Sequence, residues 1–372
     1  MDAPGLKKAT LLFLSGGSQV TQFILSVLDG RRESLRLLAT SSICDDPGLW
    51  SLDGVFLTPT TVKEPEAFRA RVLEILRREH VDLIVPCRDD DVVALAELAE
   101  AHPEHRAQAL CGPAVLARMM SDKWLSFEFC EEHGLPYAHS MVAGAAAPAD
   151  FVARVGYPII AKPRDGFSSQ GVFLIENETQ LQHALQRANY VLQEFLGDPE
   201  SYWEFKRSVA EGGMPFYYIV KGIKHSIETM IAPSGETTRV FATYNRQTFR
   251  ARYVAPNIEP ETLALGRRCS EVFARLGWRG PLNIQCQLDR RGRVTIHEFN
   301  GRFGALAAER WLLGYDEVAH GIELFTGLTL PPTGWQTLPA RSAVAQLTSR
   351  AADPAKVDYL HAHGEWFRSS SP

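Results

Sequence analysis

Dense basic runs are missing from this chain. Lysine and arginine total 39 against 44 aspartates and glutamates, a formal net charge of −5, and the sequence pI is about 6.1. A nucleic-acid partner held by phosphate neutralisation needs clustered cations, so none is expected; a small anionic substrate needs only a few cations in one cleft. Paired cysteines are missing too. The six present (Cys44, Cys87, Cys111, Cys130, Cys269 and Cys286) form no C-x-x-C pair and have no histidines at zinc-finger spacing, which argues against disulfides and a structural zinc site. No stretch reaches the roughly 18 apolar residues of a membrane span, and residues 1–10 lack the long apolar core of a secretory signal. The expected location is the cytoplasm, with no membrane partner. Finally, the turn Ser15-Gly16-Gly17-Ser18 lacks the three-glycine dinucleotide signature, which weakens a Rossmann oxidoreductase reading.

What is present belongs to a globular protein. Hydrophobic residues make up 45% and charged residues 22% of 372, enough for two or three packed units. Residues 9–14 form an apolar run that stops at the small-residue turn, and apolar positions at helical spacing follow over 20–28. This strand–turn–helix texture recurs, with strands predicted at 35–40 and 81–85 and helices at 64–80 and 92–101. Up to about Gly112 the chain therefore reads as a small doubly wound α/β unit. One amphipathic helix is predicted over 115–133, ended by Gly134-Leu135-Pro136. Thereafter the texture turns to β. Strands are expected at 159–163, 171–175 and 190–195, with a helix at 178–188 and hairpins over 226–244 and 282–299; a strand (342–348) and a helix (354–361) close the tail.

Three stretches carry chemistry. In the first, Lys162 ends an apolar strand and is followed by the loop Arg164-Asp165-Gly166-Phe167-Ser168-Ser169-Gln170-Gly171. An ammonium beside a Gly/Ser loop suits phosphates, because backbone N–H groups approach the oxygens unobstructed. The second, Gln193-Glu194-Phe195-Leu196, is a strand stopping at a turn, where backbone donors and acceptors are offered to a base edge. The third pairs Gln285 with Glu298 and Asn300, which lie two apart in a strand and so point to one face. Such hard oxygen donors suit Mg²⁺. Arg302, two further on, offers a planar fork for phosphate oxygens. Read singly, each stretch is also compatible with a solvated strand end.

In this order and spacing the stretches resemble ATP-grasp proteins of the carbamoyl phosphate synthetase-like branch, over nearly the whole chain. Further likeness lies in Ser121-Asp122-Lys123 inside the predicted helix, in Tyr157-Pro158-Ile159-Ile160-Ala161-Lys162-Pro163, and in Gly280 to Gln285 with Glu298-Phe299-Asn300-Gly301-Arg302. The resemblance implies an N-terminal doubly wound domain (1–112), then two α+β subdomains (113–195 and 196–372) gripping a nucleotide. It implies ATP and one or two Mg²⁺ ions as cofactors. Lys123 and Lys162 would bind phosphates, Ser168, Ser169 and Gly171 would belong to a closing lid, and Gln193, Glu194, Phe195 and Leu196 would line the adenine pocket. Gln285, Glu298 and Asn300 would hold the metal, while Arg302 and Arg246 would serve the transferred phosphoryl group.

Two departures stand out. Gly301 replaces the family's usual proline, which reads as a looser turn. The family's ribose-binding glutamate has no clear counterpart: Lys224 falls at its position, Glu200 or Glu228 remains to take the role, and an aromatic-rich insertion (198–221) intervenes. The implied reaction is carboxylate–amine ligation through an acyl phosphate, with small-molecule acid and amine as partners; homodimers are common in the family. The alternatives are activation of another small oxyanion, such as bicarbonate, and a non-catalytic nucleotide-binding module. His297, beside Glu298, is expected on the opposite strand face in a packing role.

Overall fold

The computed structural model describes residues 8–145, 147–166, 170–213, 224–247, 251–345 and 353–368. The chain opens with β1 (Ala9–Leu14), α1 (Gln19–Leu28), β2 (Leu35–Ser41), β3 (Gly54–Leu57), α2 (Pro65–Arg78), β4 (Leu83–Pro86) and α3 (Asp89–Ala101). The first four strands are parallel, in the order β3-β2-β1-β4. Their apolar runs are buried on both faces, as helix-covered parallel strands require. The α3 helix begins at Asp89, three residues before the periodicity places it, so Asp89, Asp90 and Asp91 form its first turn, where the helix dipole favours carboxylates.

The single helix expected over 115–133 is two. The helix α4 (Ala114–Ser121) stops at Asp122, whose carboxylate accepts from Trp124 N (2.8 Å) and Leu125 N (3.2 Å) and so caps α5 (Lys123–His133). The same carboxylate pairs with Arg164 at 2.6 Å, tying the helix start to the loop after the lysine strand. Asp122→Ala is expected to cost about 1–2 kcal/mol in urea unfolding, and Asp122→Asn, which keeps a capping oxygen, less than half of that.

A four-stranded antiparallel sheet follows, in the order β5-β8-β6-β7. Its strands are β5 (Ser140–Val142), β6 (Ile159–Pro163), β7 (Phe173–Ile175) and β8 (Tyr190–Glu194); α6 (Pro148–Val155) and α7 (Glu178–Leu185) cover one face around a separate small core. Next come α8 (Pro199–Gly212), β9 (Lys224–Ile231), β10 (Phe241–Gln247), β11 (Arg252–Asn257), α9 (Pro260–Arg275), β12 (Gly280–Leu288) and β13 (Val294–Asn300). With β14 (Ala343–Ala345) these strands form a second antiparallel sheet, β13-β12-β9-β10-β11-β14. The expected insertion 198–221 is helical where it is described; Phe216, Tyr217 and Tyr218 fall outside the described residues. The remaining helices are α10 (Ala307–Leu312), α11 (Glu317–Thr326) and α12 (Pro354–His363).

The tail corrects one expected boundary. A last strand, β15 (Glu365–Phe367), pairs antiparallel with β3, and Leu360 and Trp366 are buried in the core of the N-terminal sheet. Residues 353–368 thus pack with the first unit, outside the 196–372 unit to which the sequence assigned them. Neither short partner, β3 nor β15, is long enough to show a period.

Candidate functional site

Two sheet faces meet across a cleft. In the four-stranded sheet Lys162 lies opposite Val191 and Ile160 opposite Gln193. Directly opposed residues project to one side, so Lys162 and Gln193 share a face. The reverse face, with Ile159, Ala161 and Leu192, is the one packed on helices. In the six-stranded sheet Asn283 pairs with Asn300 and Glu228, and Gln285 with Glu298 and Ser226. These six polar side chains therefore line one face, and Ile227, Ile284 and Phe299 are buried on the other.

The two sheets are linked at the carbonyl of His297. Lys162 Nζ donates to His297 O at 3.3 Å, and the Tyr137 hydroxyl donates to the same oxygen at 2.9 Å. Burial pulls the Lys162 ammonium down to about 7, with Glu298 opposing the shift and Lys123 adding to it. Lys123, the first residue of α5, sends Nζ to Gly166 O (2.6 Å) and Arg164 O (3.3 Å), at the entrance of the glycine–serine loop. Two lysines and a carboxylate from three separate segments thus share one electrostatic neighbourhood.

The donor set on the second face fits magnesium. Glu298 is half-exposed in the cleft, with the amides of Gln285 and Asn300 on its own face. Asn300 is fixed by donating to Asn283 Oδ1 (2.9 Å) and accepting from Arg302 Nη2 (3.2 Å). One carboxylate with neutral oxygen neighbours is the sparse set that Mg²⁺ completes from phosphate oxygens and water. Arg302 also pairs with Asp89 at 3.0 Å, linking this face to the first turn of α3.

A family model described as an ATP-grasp domain matches residues 120–201, which carry both lysines and β8. Solved structures match far more of the chain. N5-carboxyaminoimidazole synthetase from Staphylococcus aureus superposes with a TM-score of 0.63 at 15% identity, covering 89% of this chain and 81% of that one. This is an ATP-grasp fold. An L-amino acid ligase from Bacillus licheniformis shares it (TM-score 0.60, 16% identity, 87% and 75% covered). So does the biotin carboxylase domain of a 2-oxoglutarate carboxylase from Hydrogenobacter thermophilus, solved with MgADP and bicarbonate (0.62, 14%, 87% and 71%). No curated protein sequence matches the chain.

Within the ATP-grasp fold several expected residues land elsewhere. Arg246 alternates with Asn245, which opposes Lys224, so Arg246 projects from the reverse face of the sheet, exposed, with its guanidinium 5.6 Å from the Tyr253 ring. Its expected phosphoryl role is not supported there. Glu228 lies on the polar face but is closed off from a ribose. It is 1% exposed, accepts from Asn283 Nδ2 at 2.5 Å and pairs with the fully buried Arg310 at 2.8 Å. Arg310 in turn holds Glu317 at 2.6 Å. Glu200 is exposed on the first turn of α8, where Asp198 caps its N–H.

At the end of β8, Gln193 lies on the cleft face and is anchored on Ser140 Oγ (3.0 Å), whereas the carboxylate of Glu194 accepts from His139 N (3.4 Å). Leu196 is buried, and the Phe195 ring lies 6.2 Å from that of Tyr202. Gly197 N donates to Leu288 O (2.7 Å), tying the turn after β8 to β12. Ser168 and Ser169 lie outside the described residues, while Gly171, at φ +70°, accepts from the Tyr190 hydroxyl (3.0 Å). Gly301 is not a loosened turn: a Cβ there would fall 2.5 Å from the Trp278 ring, so close packing demands glycine.

His297 interrupts the alternation on which its expected packing role rests. The register slips between Gln285 and Cys286, leaving His297 as the extra residue of a β-bulge. Burial, then the ammonium groups of Lys162, Lys224 and Lys123, hold its imidazole well below the usual range. Strict alternation hid this, and nothing in the sequence marks the bulge.

Proposed function

We propose that the chain is an ATP-dependent carboxylate–amine ligase working through an acyl phosphate. The carrying observation is the convergence of Lys123, Lys162 and Glu298 on one cleft between facing sheets. A carboxylate is a poor acyl donor because its leaving group would be oxide. Transfer of the γ-phosphoryl group from ATP to the acid gives a mixed anhydride and ADP; the amine then attacks the carbonyl, phosphate leaves, and the amine loses a proton. In such chemistry the protein positions reactants and neutralises charge. Lys123 and Lys162 would carry the phosphates, Arg302 would face the acyl phosphate, and Gln193 to Leu196 would seat the adenine. Gln285, Glu298 and Asn300 would hold magnesium, which supplies charge neutralisation to the triphosphate.

The deciding experiment is phosphate release from MgATP against panels of acids and amines. Release that stays at background until both partners are present supports ligation. Release driven by bicarbonate instead would favour the second reading, which the bicarbonate-bound structural relative brings forward. Absence of nucleotide binding altogether would sink both.

The depressed Lys162 ammonium gives a pH signature. Its folded value of about 7 lies below its usual 10.5, so in the free protein much of it is neutral at about pH 8. A bound triphosphate favours the charged form, and so proton uptake is expected on ADP or ATP binding at that pH. Calorimetry in buffers of differing ionisation enthalpy should detect up to about one proton, and Lys162→Met should abolish the uptake.

A further inference from the structure

A row of polar contacts crosses the cleft face of the six-stranded sheet, and it has a fixed direction. One end is the ion pair of Arg310 Nη2 with Glu228 Oε1, at 2.8 Å. A guanidinium offers only N–H groups, so that oxygen is an acceptor. Asn283 Nδ2 donates to the same oxygen at 2.5 Å and to Ser226 Oγ at 2.9 Å. With its nitrogen spent on these two, Asn283 turns its oxygen to Asn300, whose Nδ2 donates to it at 2.9 Å. The other end is again donor-only: Arg302 Nη2 reaches Asn300 Oδ1 at 3.2 Å. Both ends demand the same order, so each amide has one permitted orientation.

That orientation matters for a cation. The two ends of an amide have nearly the same shape, but only the oxygen ligates a metal; a flipped Asn300 would present its NH₂ group instead. Arg302 uses one lone pair of Asn300 Oδ1, which leaves the second for a metal. Glu228, Asn283 and Asn300 are all buried, so water is not at hand to replace a bond removed from the row. The backbone closes over its anchor as well: a Cβ at Gly304 would collide with Glu228 Oε1 and fall 2.9 Å from Arg310 Nη2.

We propose that Asn283 is a positioning residue for the metal, held by Glu228 and Ser226 so that the Asn300 amide meets Mg²⁺ through its oxygen. Arg310 acts through Glu228 at the far end of the same row. This rests on the assignment of Asn300 to magnesium above.

The test is the affinity of the full chain for β,γ-methylene-ATP, measured by calorimetry with saturating Mg²⁺ and with a chelator; the ratio of the two is the gain due to the metal. Asn300→Ala, which removes the ligand, sets the reference loss. Asn283→Leu should lower the gain about tenfold, the usual effect of losing a partner behind a metal ligand, and leave the metal-free affinity within about twofold of wild type. Ser226→Ala removes one anchor of Asn283 with little change in volume; it should lower the gain about threefold and keeps the test open if Asn283→Leu folds poorly. Glu228→Gln retains an oxygen toward Arg310 and Asn283 and changes only Oε2, which has no hydrogen-bond partner among the described residues; its gain should stay within about twofold of wild type. A gain kept by Asn283→Leu and Ser226→Ala, or an affinity lost equally with and without Mg²⁺, overturns the proposal and leaves the magnesium assignment intact. So does a Glu228→Gln variant as impaired as Asn283→Leu, because charge rather than orientation would then be at work. A gain absent from the wild type, or untouched by Asn300→Ala, would instead sink the magnesium assignment, and the role of Asn283 with it.

Discussion

Glu298→Ala is expected to lower MgATP-dependent phosphate release by about 10²–10³-fold, the scale of removing one preorganised charge-stabilising group. Glu298 is the only carboxylate among the residues assigned here to the metal, and it also supports Lys162, whose ammonium it favours against burial. The variant should therefore lose twice: less charge on the metal side, and a lysine more readily neutral at working pH. Because Glu298 is half-exposed on a well-paired strand, unfolding in urea should shift by less than about 1 kcal/mol. A rate within threefold of wild type would remove Glu298 from the mechanism; a collapsed fold would show that it serves structure instead.

Arg310→Met should be the most destabilising single change. Its guanidinium is completely buried and holds two buried carboxylates, Glu228 at 2.8 Å and Glu317 at 2.6 Å. Burial already pushes both carboxyls upward, and Arg310 is the largest opposing influence. Removing one partner of a buried ionic cluster typically costs about 3–5 kcal/mol. The sign of its pH dependence follows. Carboxyls whose folded pKa lies above the unfolded value favour folding in acid and lose that advantage as pH rises. In the variant, with Arg310 gone, both carboxyls shift further up, so the deficit should be larger at about pH 8 than at about pH 5. Urea titrations at the two values check this, and an equal deficit at both would show that lost packing, not charge, dominates.

The lysine strand and the polar-faced hairpin β12–β13 were legible in the sequence because both rest on period-two alternation, which Lys162, Glu298 and Asn300 obey. The same rule breaks down at His297, the inserted residue of a bulge, where alternation no longer fixes the side. Arg246 failed by parity of its own: its neighbour Asn245, opposite Lys224, holds the inward position. Glu228 was unreadable for another reason, since the cation that neutralises it follows 82 positions later on α10. Asp122 lies inside an apolar pattern that runs through it, and only the capping bonds reveal the break. Local pattern reports which face a side chain takes; it is silent on which distant charge meets it there.

The pairing of β15 with β3 makes the chain a clasp. Arg368 reaches Ser51 O at 3.1 Å across 317 sequence positions, so the β3 edge of the first sheet stays unsealed until residues 365–367 have been made. Until then its exposed strand offers free N–H and C=O groups to any neighbouring chain, and the sealing contact, being so distant in sequence, forms late. Whatever assists folding of this chain has most to do at that edge, and a fusion partner placed just beyond residue 368 would crowd the sealing of that edge.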